Sequence, residues 1–162
     1  MADVVIYGPS PSPYVRTARL ACAEKGIAHT LEPLDLGSEA HAKLHPFRKI
    51  PAMRHGNFVL FESGAIGRYI DRAFPGPALQ PKDVKDLARM DQWMSAISDY
   101  CYQAMIREIV IQRMLVPMRG GKTDEAMVKA AWPKVEYQLS VLEQTLGQQA
   151  YLAGGALSLA DL

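Results

Sequence analysis

Three short segments carry residue types able to hold a small polar molecule. The first is Tyr7-Gly8-Pro9-Ser10-Pro11-Ser12-Pro13, which offers hydroxyls at Tyr7, Ser10 and Ser12. A loop leaving the C-terminal end of a strand is where open α/β sheets bind ligands. Ser12 precedes Pro13, a good residue for the first position of a helix. On these residues alone, Ser12 is a helix cap before it is a ligand. The second segment is Lys49-Ile50-Pro51, at a strand start because proline is unwelcome inside a central ladder. A cis Ile50–Pro51 bond would turn the Ile50 N–H and C=O outward, towards an extended peptide. Only about 5–6% of X–Pro bonds are cis, so composition does not select it. The third is Glu62-Ser63, opening a helix whose free amides and positive dipole end suit a ligand carboxylate. A plain cap with an acidic neighbour explains that pair equally well.

The remaining reactive residues form no constellation. His29, His41, His45 and His55 have no metal-ligand spacing and read as surface or hydrogen-bonded histidines. Cys22 and Cys101 make no CxxC, and Cys22 falls on an apolar helix face where packing is its expected role. Met105, Met114 and Met118 read as core residues before cofactor contacts.

The elements that must position these groups follow from periodicity. Val4-Val5-Ile6-Tyr7 fits a buried strand, and His29–Leu34 a second. Between them Val15, Ala18, Cys22 and Lys25 share a helical face, with Lys25 at the wet end and Gly26 as the stop. Ala52–Arg54 and Phe58–Phe61 flank His55-Gly56-Asn57 as a hairpin. Ser63 caps a helix carrying Ile66, Tyr69, Ile70 and Ala73. The order βαβ then ββα predicts a thioredoxin-like fold.

Phe74–Pro81 then reads as a linker, and the chain changes character. No Gly or Pro interrupts Lys82–Val116, where Leu87, Met90, Met94, Ile97, Cys101 and Ala104 mark one helical stripe, so one long helix or two are expected. A further helix is predicted from Thr123, as cap, to Leu146, with Val135, Leu139, Leu142 and Leu146 as its apolar stripe and a kink or restart at Pro133. Ser158-Leu159-Ala160-Asp161 has capping-box spacing, with Leu157 and Leu162 at the staple positions. It opens a helix just where the sequence stops, which suggests a C-terminally truncated fragment.

Composition bounds the partners. The sequence has 162 residues, 49% of them hydrophobic, with 18 Lys plus Arg against 17 Asp plus Glu. That balance argues against nucleic acid and against a polybasic membrane contact. No apolar run approaches the ~20 residues of a spanning helix. Met1-Ala2-Asp3-Val4-Val5 has no basic leader region, and two unpaired-looking cysteines fit a reduced, cytoplasmic protein.

Together these residues resemble the cytosolic glutathione S-transferases, most closely the serine-using theta, phi and tau classes and their bacterial relatives. The resemblance covers the whole chain. It is strongest at Ser12-Pro13-Tyr14-Val15-Arg16, Pro46-Phe47-Arg48-Lys49-Ile50-Pro51, Phe61-Glu62-Ser63-Gly64-Ala65-Ile66 with Tyr69-Ile70, and Tyr151-Leu152-Ala153-Gly154 followed by Ser158-Leu159-Ala160-Asp161-Leu162. His45 stands where the family often has Asn, and Arg48 where the phi class often has Gly.

The resemblance implies an α/β thioredoxin-like domain over residues 1–76, then an all-α, partial helical bundle over residues 83–162. It implies that Ser12 hydrogen-bonds the sulfur of glutathione and that Ile50, before a cis Pro51, pairs with the cysteinyl backbone. Glu62 and Ser63 would hold the γ-glutamyl end, and Lys49 would lie near the glycyl carboxylate. Phe47 would anchor a homodimer. No metal is implied. The expected activity is conjugation of glutathione, a co-substrate, to a small hydrophobic electrophile. Tyr7 is the competitor for the sulfur, because tyrosine-using classes place their hydroxyl at the end of the first strand. A non-catalytic glutathione-binding or interaction module on the same fold is the alternative. A thiol reductase would need a cysteine in the 8–14 loop, which has none.

Overall fold

The computed structural model describes residues 3–162. They form two compact units: one reaches to Lys82 and takes in Asp161–Leu162, the other is Asp83–Ala160.

The first unit is built on a four-stranded sheet of order β2-β1-β3-β4. Its strands are β1 Val4–Tyr7, β2 His29–Glu32, β3 Ala52–His55 and β4 Phe58–Phe61. β1 runs parallel to β2 and antiparallel to β3, and β3 is antiparallel to β4. β2 ends at Glu32, short of Leu34, where Pro33 has no N–H for the ladder. Val4, Val5 and Ile6 are all buried. Successive side chains point to opposite faces, so both faces of β1 are covered. The β3–β4 hairpin turns through Gly56-Asn57, with Gly56 at φ +57 in the first loop position, as a II′ turn requires.

Helix α1, Pro13–Glu24, buries Val15, Ala18, Ala21 and Cys22. It ends in a Schellman motif: Gly26 N–H donates to the Ala23 carbonyl and Ile27 N–H to that of Cys22, with Gly26 at φ +67. Burial pushes the Cys22 thiol up to about 11, so it stays protonated and packs as a small apolar group. A six-residue helix, α2 Glu39–Leu44, was not foreseen; Ser38 Oγ caps it by accepting from His41 N–H at 3.1 Å. Helix α3, Ser63–Ala73, packs against α1 and buries Ile66, Gly67 and Ile70. Ala73, expected on the buried stripe, is exposed.

Lys25 corrects the sequence reading. Its side chain is buried, and Nζ donates to Asp71 Oδ1 at 3.0 Å and to the Pro77 carbonyl at 2.9 Å. Asp71 also accepts from Leu79 N–H at 2.8 Å and from Gln80 Nε2 at 2.9 Å. A helix-end lysine thus ties the Phe74–Pro81 segment to the first unit, and Leu79 is 1% exposed. Burial raises the Asp71 carboxyl's affinity for a proton, but the bonds from Leu79, Gln80 and Lys25 outweigh it and hold the group below its ordinary value. Asp71→Asn is therefore expected to cost about 2 kcal/mol at neutral pH, since an amide puts a donor against Lys25 or Gln80. The contribution is fully present above the unfolded carboxyl value. It is lost as pH falls through the lower folded value. Urea unfolding of both proteins at neutral and acid pH checks this, and the gap between them should close in acid.

In the second unit, α4 Val84–Ala96 is capped by Asp83, which accepts from Lys85 and Asp86 N–H. The helix continues through Ile97–Leu115, wound in the wider π form, and ends in α5, Val116–Met118. Of the predicted stripe, Met90 and Ala104 are fully buried and the others half-buried. Helix α6, Glu125–Leu146, is capped by Asp124 rather than Thr123. Asp124 Oδ1 accepts from Met127 N–H, while the Thr123 hydroxyl donates to the Gln112 carbonyl at 2.8 Å. Pro133 sits inside α6 without interrupting it. Its buried residues are Val128, Ala131 and Val135, and Leu139 and Leu146 are exposed. Ser158 precedes a short 3₁₀ turn, Leu159–Asp161, and its Oγ accepts from Ala160 N–H. Among the described residues no helix is long and apolar enough to cross a membrane.

Candidate functional site

One row of the sheet gathers the three segments. Tyr7 pairs with Ala52, and Ala52 pairs with Phe61. The loop after β1, the residues before β3 and the residues after β4 therefore leave the sheet at the same end. Ser10–Ser12, Lys49–Pro51 and Glu62–Ser63 come from those three places.

Gly8 sets the first loop. It lies at φ +139, and a Cβ there would come within 2.7 Å of Val15 Cγ2 and 3.4 Å of Ile50 Cβ. Only a residue without a side chain lets the loop lie this close to Val15 at the start of α1, with Ile50 in ordinary contact beside it. Ser12 is half-buried at the N-cap of α1, and its Oγ accepts from Val15 N–H at 3.5 Å. Capping uses an oxygen lone pair, so the Ser12 hydroxyl proton stays available to a ligand. The Tyr7 hydroxyl accepts from Arg54 Nε at 3.2 Å, and Arg54 also reaches Asp3 and the Gly56 carbonyl. Tyr7 thus braces the sheet through β3.

The Ile50–Pro51 bond is cis. Among the described residues no group bonds the Ile50 N–H or C=O. Sequence reasoning missed the residue that fixes this segment. His41, 1% exposed, accepts from Gly37 N–H through Nδ1 at 3.1 Å, and its Nε2 lies 2.8 Å from the Lys49 carbonyl. An N–H on one side and a carbonyl on the other make His41 a neutral ring protonated at Nε2. It holds the backbone one residue before Ile50. A histidine with no motif around it gave no signal of this. The Lys49 side chain is exposed. Arg48 lies at φ +51, in the left-handed region a glycine would occupy more easily, and its N–H closes a turn onto the His45 carbonyl at 2.8 Å. Phe47, at the tip of this turn, is 70% exposed.

Glu62 rather than Ser63 is the N-cap of α3, and it makes no side-chain cap bond. Its backbone lies at φ +71, one of two described non-glycine residues with positive φ. Such a conformation costs about 1–3 kcal/mol and is characteristic of sites where function holds it. The carboxylate is left facing solvent, 66% exposed, 3.8 Å from His45 Nε2. Ser63 follows as the first helical residue, half-buried, with its N–H in the unsatisfied first turn.

The arrangement offers a donor hydroxyl, an unpaired backbone edge, a carboxylate and a helix N-terminus along one end of a sheet. Those groups suit an extended peptide with an amine, a carboxylate and a thiol. Among the described residues no group of three or more His, Cys, Asp or Glu could hold a metal ion.

Comparison with known proteins identifies relatives of this fold. Residues 7–78 match the family model of the glutathione S-transferase N-terminal domain, and residues 93–162 match that of the C-terminal domain. The probable glutathione S-transferase GSTF1 of Oryza sativa subsp. japonica is 33% identical over 171 residues, covering 100% of this chain and 78% of the relative. Glutathione S-transferase F9 of Arabidopsis thaliana is 33% identical, covering 97% and 75%. Among solved structures, maize glutathione S-transferase I in complex with an atrazine glutathione conjugate is similar, with TM-score 0.87 and 31% identity over 99% of this chain and 77% of that one. The theta-class enzyme of Xanthomonas axonopodis pv. citri with glutathione bound gives TM-score 0.88 and 28% identity, covering 99% and 78%. With both of its halves matched and relatives of this identity spanning its length, the chain belongs to the glutathione S-transferase family.

Proposed function

We propose that this chain binds glutathione at the end of the sheet defined by Tyr7, Ala52 and Phe61, and conjugates it to a small apolar electrophile. The observation that carries the reading is the meeting of Ser12, the unpaired Ile50 backbone and Glu62–Ser63 along that one row. The cysteinyl N–H and C=O pair with Ile50. The γ-glutamyl carboxylate lies over the Ser63 amide and its ammonium meets Glu62. The Lys49 ammonium faces the glycyl carboxylate. Residues 1–76 serve as the glutathione-binding domain and 83–162 as the helical domain.

Ser12 donates its hydroxyl proton to the sulfur. That bond stabilises the thiolate more than the thiol, as does the positive end of a nearby helix. Lowering a thiol value of about 8.5 by two units needs ~2.7 kcal/mol of differential stabilisation. The thiol proton leaves to solvent. The sulfur lone pair forms a C–S bond to the electrophile, and the leaving group departs with the electron pair of its bond. We further propose a cytoplasmic homodimer acting in detoxification; the free cysteines, Cys22 buried and Cys101 half-buried, fit a reducing compartment.

Calorimetry with glutathione, followed by spectrophotometric assay with an electrophilic aryl chloride, tests the reading. One site per chain and release of chloride are expected. Absence of binding at millimolar glutathione overturns the site. Binding without conjugation reduces the chain to a glutathione-binding module.

A further inference from the structure

His45 is buried like His41 but is not satisfied like it. Its ring is 1% exposed, and Nδ1 has no hydrogen-bond partner among the described residues. Phe61 lies against the ring at a centroid distance of 4.6 Å, and Phe47 meets it edge-on at 6.3 Å. The other nitrogen, Nε2, faces Glu62 Oε1 at 3.8 Å. A buried polar atom left without a partner is unfavourable and asks for a reason.

We propose that His45 is a positioning residue for glutathione: its neutral ring, with the Nε2 edge 3.8 Å from Glu62 Oε1, sets where the Glu62 carboxylate stands to meet the γ-glutamyl ammonium, and protonation of the ring opposes binding. This role rests on the glutathione reading above. In the neutral ring protonated at Nε2, Nδ1 is a bare acceptor and Glu62 keeps its full charge for the ligand. Protonation does two things. It places a positive charge 3.8 Å from the carboxylate the ammonium needs, and it puts a second N–H at Nδ1, where no acceptor waits.

The titratable and charged groups around the ring are Glu62 at the start of α3, His41 on α2 and Lys49 before β3; Phe47 and Phe61 are uncharged. Burial lowers the proton affinity of His45 below the ordinary histidine value. Glu62 pulls the other way, and His41 and Lys49 add to the lowering. The ring is therefore neutral at neutral pH and takes its proton only on the acid side of 6.5. By linkage, a ligand that binds better to the neutral ring must release the proton when it binds to the charged one.

Calorimetry with S-methylglutathione, whose sulfur carries no proton, isolates this effect from thiol titration. Affinity is expected to fall towards acid between about pH 7.5 and about pH 5.5, by at most about three- to fivefold, the scale of one partly exposed charge pair. Proton release at the acid end should appear as a dependence of the binding heat on buffer ionisation enthalpy. His45→Gln keeps a donor near Nε2 and cannot titrate, so its profile should be flat and the proton release lost. His45→Asn serves as a second non-titrating variant. Binding by the unaltered chain with a flat profile and no proton release overturns the proposal without any variant. So does the wild-type slope persisting in His45→Gln with only a lower melting temperature, which would mark a packing role. Failure of the unaltered chain to bind at any pH instead overturns the glutathione reading itself.

Discussion

Ser12→Ala is expected to lower kcat for glutathione conjugation by about 10²-fold while glutathione affinity changes little. Removing one preorganised donor to a developing or stabilised anion typically costs this much. The affinity should survive because, in the proposed binding mode, Ile50, Glu62 and Ser63 hold the peptide and Ser12 meets only the sulfur. The pH–rate profile should move to the alkaline side, since the bound thiol loses a bond that favours its ionised form. The variant also removes a helix cap. That bond is 3.5 Å long, so the stability loss belongs at the low end of the ~0.5–2 kcal/mol range. Thermal unfolding separates it from the catalytic effect. Tyr7→Phe is the control. Its hydroxyl accepts from Arg54 at 3.2 Å, so the expected effect is a small loss of stability with turnover unchanged. The reverse pattern, a silent Ser12→Ala and an inactive Tyr7→Phe, would transfer the role to Tyr7.

What could be read in advance and what could not divide along physical lines. β1, α1 and the β3–β4 hairpin were legible because local rules decide them: a short apolar run, Ser-Pro at a helix start, Gly26 at a helix end, Gly56-Asn57 between two apolar runs, although His55, expected in the turn, ends β3. The candidate residues could also be named one by one. Their convergence was implied only by the family resemblance and not by local pattern, because it depends on the pairing of Tyr7 with Ala52 and of Ala52 with Phe61, which is long-range. Lys25 was misjudged for the same reason: its partner Asp71 lies 46 residues away. Glu62 took the cap expected of Ser63 because the backbone adopts φ +71, a conformation local preference would assign to glycine. His41 is the clearest omission. Its use depends on a carbonyl eight residues on, and no pattern of types announces that bond. In α6, the apolar positions Leu139 and Leu146 fit the helical period yet stand in solvent, so periodicity alone did not fix which face is covered.

Phe47→Ala is expected to weaken association of the chain by about 10³-fold in the dimer constant. The resemblance of Pro46–Pro51 to the glutathione S-transferases implies a two-fold dimer in which an aromatic side chain four residues before the cis proline enters the partner. Phe47 has the spacing, and its setting supports the role. The ring is 70% exposed although its neighbours Arg48 and Lys49 are charged. It meets the rings of Phe61 and His45 edge-on, at 6.2 and 6.3 Å. A ring meant to close over its own sheet would be covered by it. The turn that presents it holds Arg48 at φ +51, a conformation that costs free energy, and is closed by the Arg48 N–H on the His45 carbonyl. At an isologous interface each residue acts twice, and truncating a central aromatic anchor costs ~2 kcal/mol or more per copy. Two copies give about 4 kcal/mol, the thousandfold stated. Sedimentation at decreasing concentration checks it: the unaltered chain should remain dimeric where Phe47→Ala has become monomeric. An unchanged dimer constant would remove Phe47 from the interface, and an unaltered chain that is monomeric throughout would refute the dimer itself.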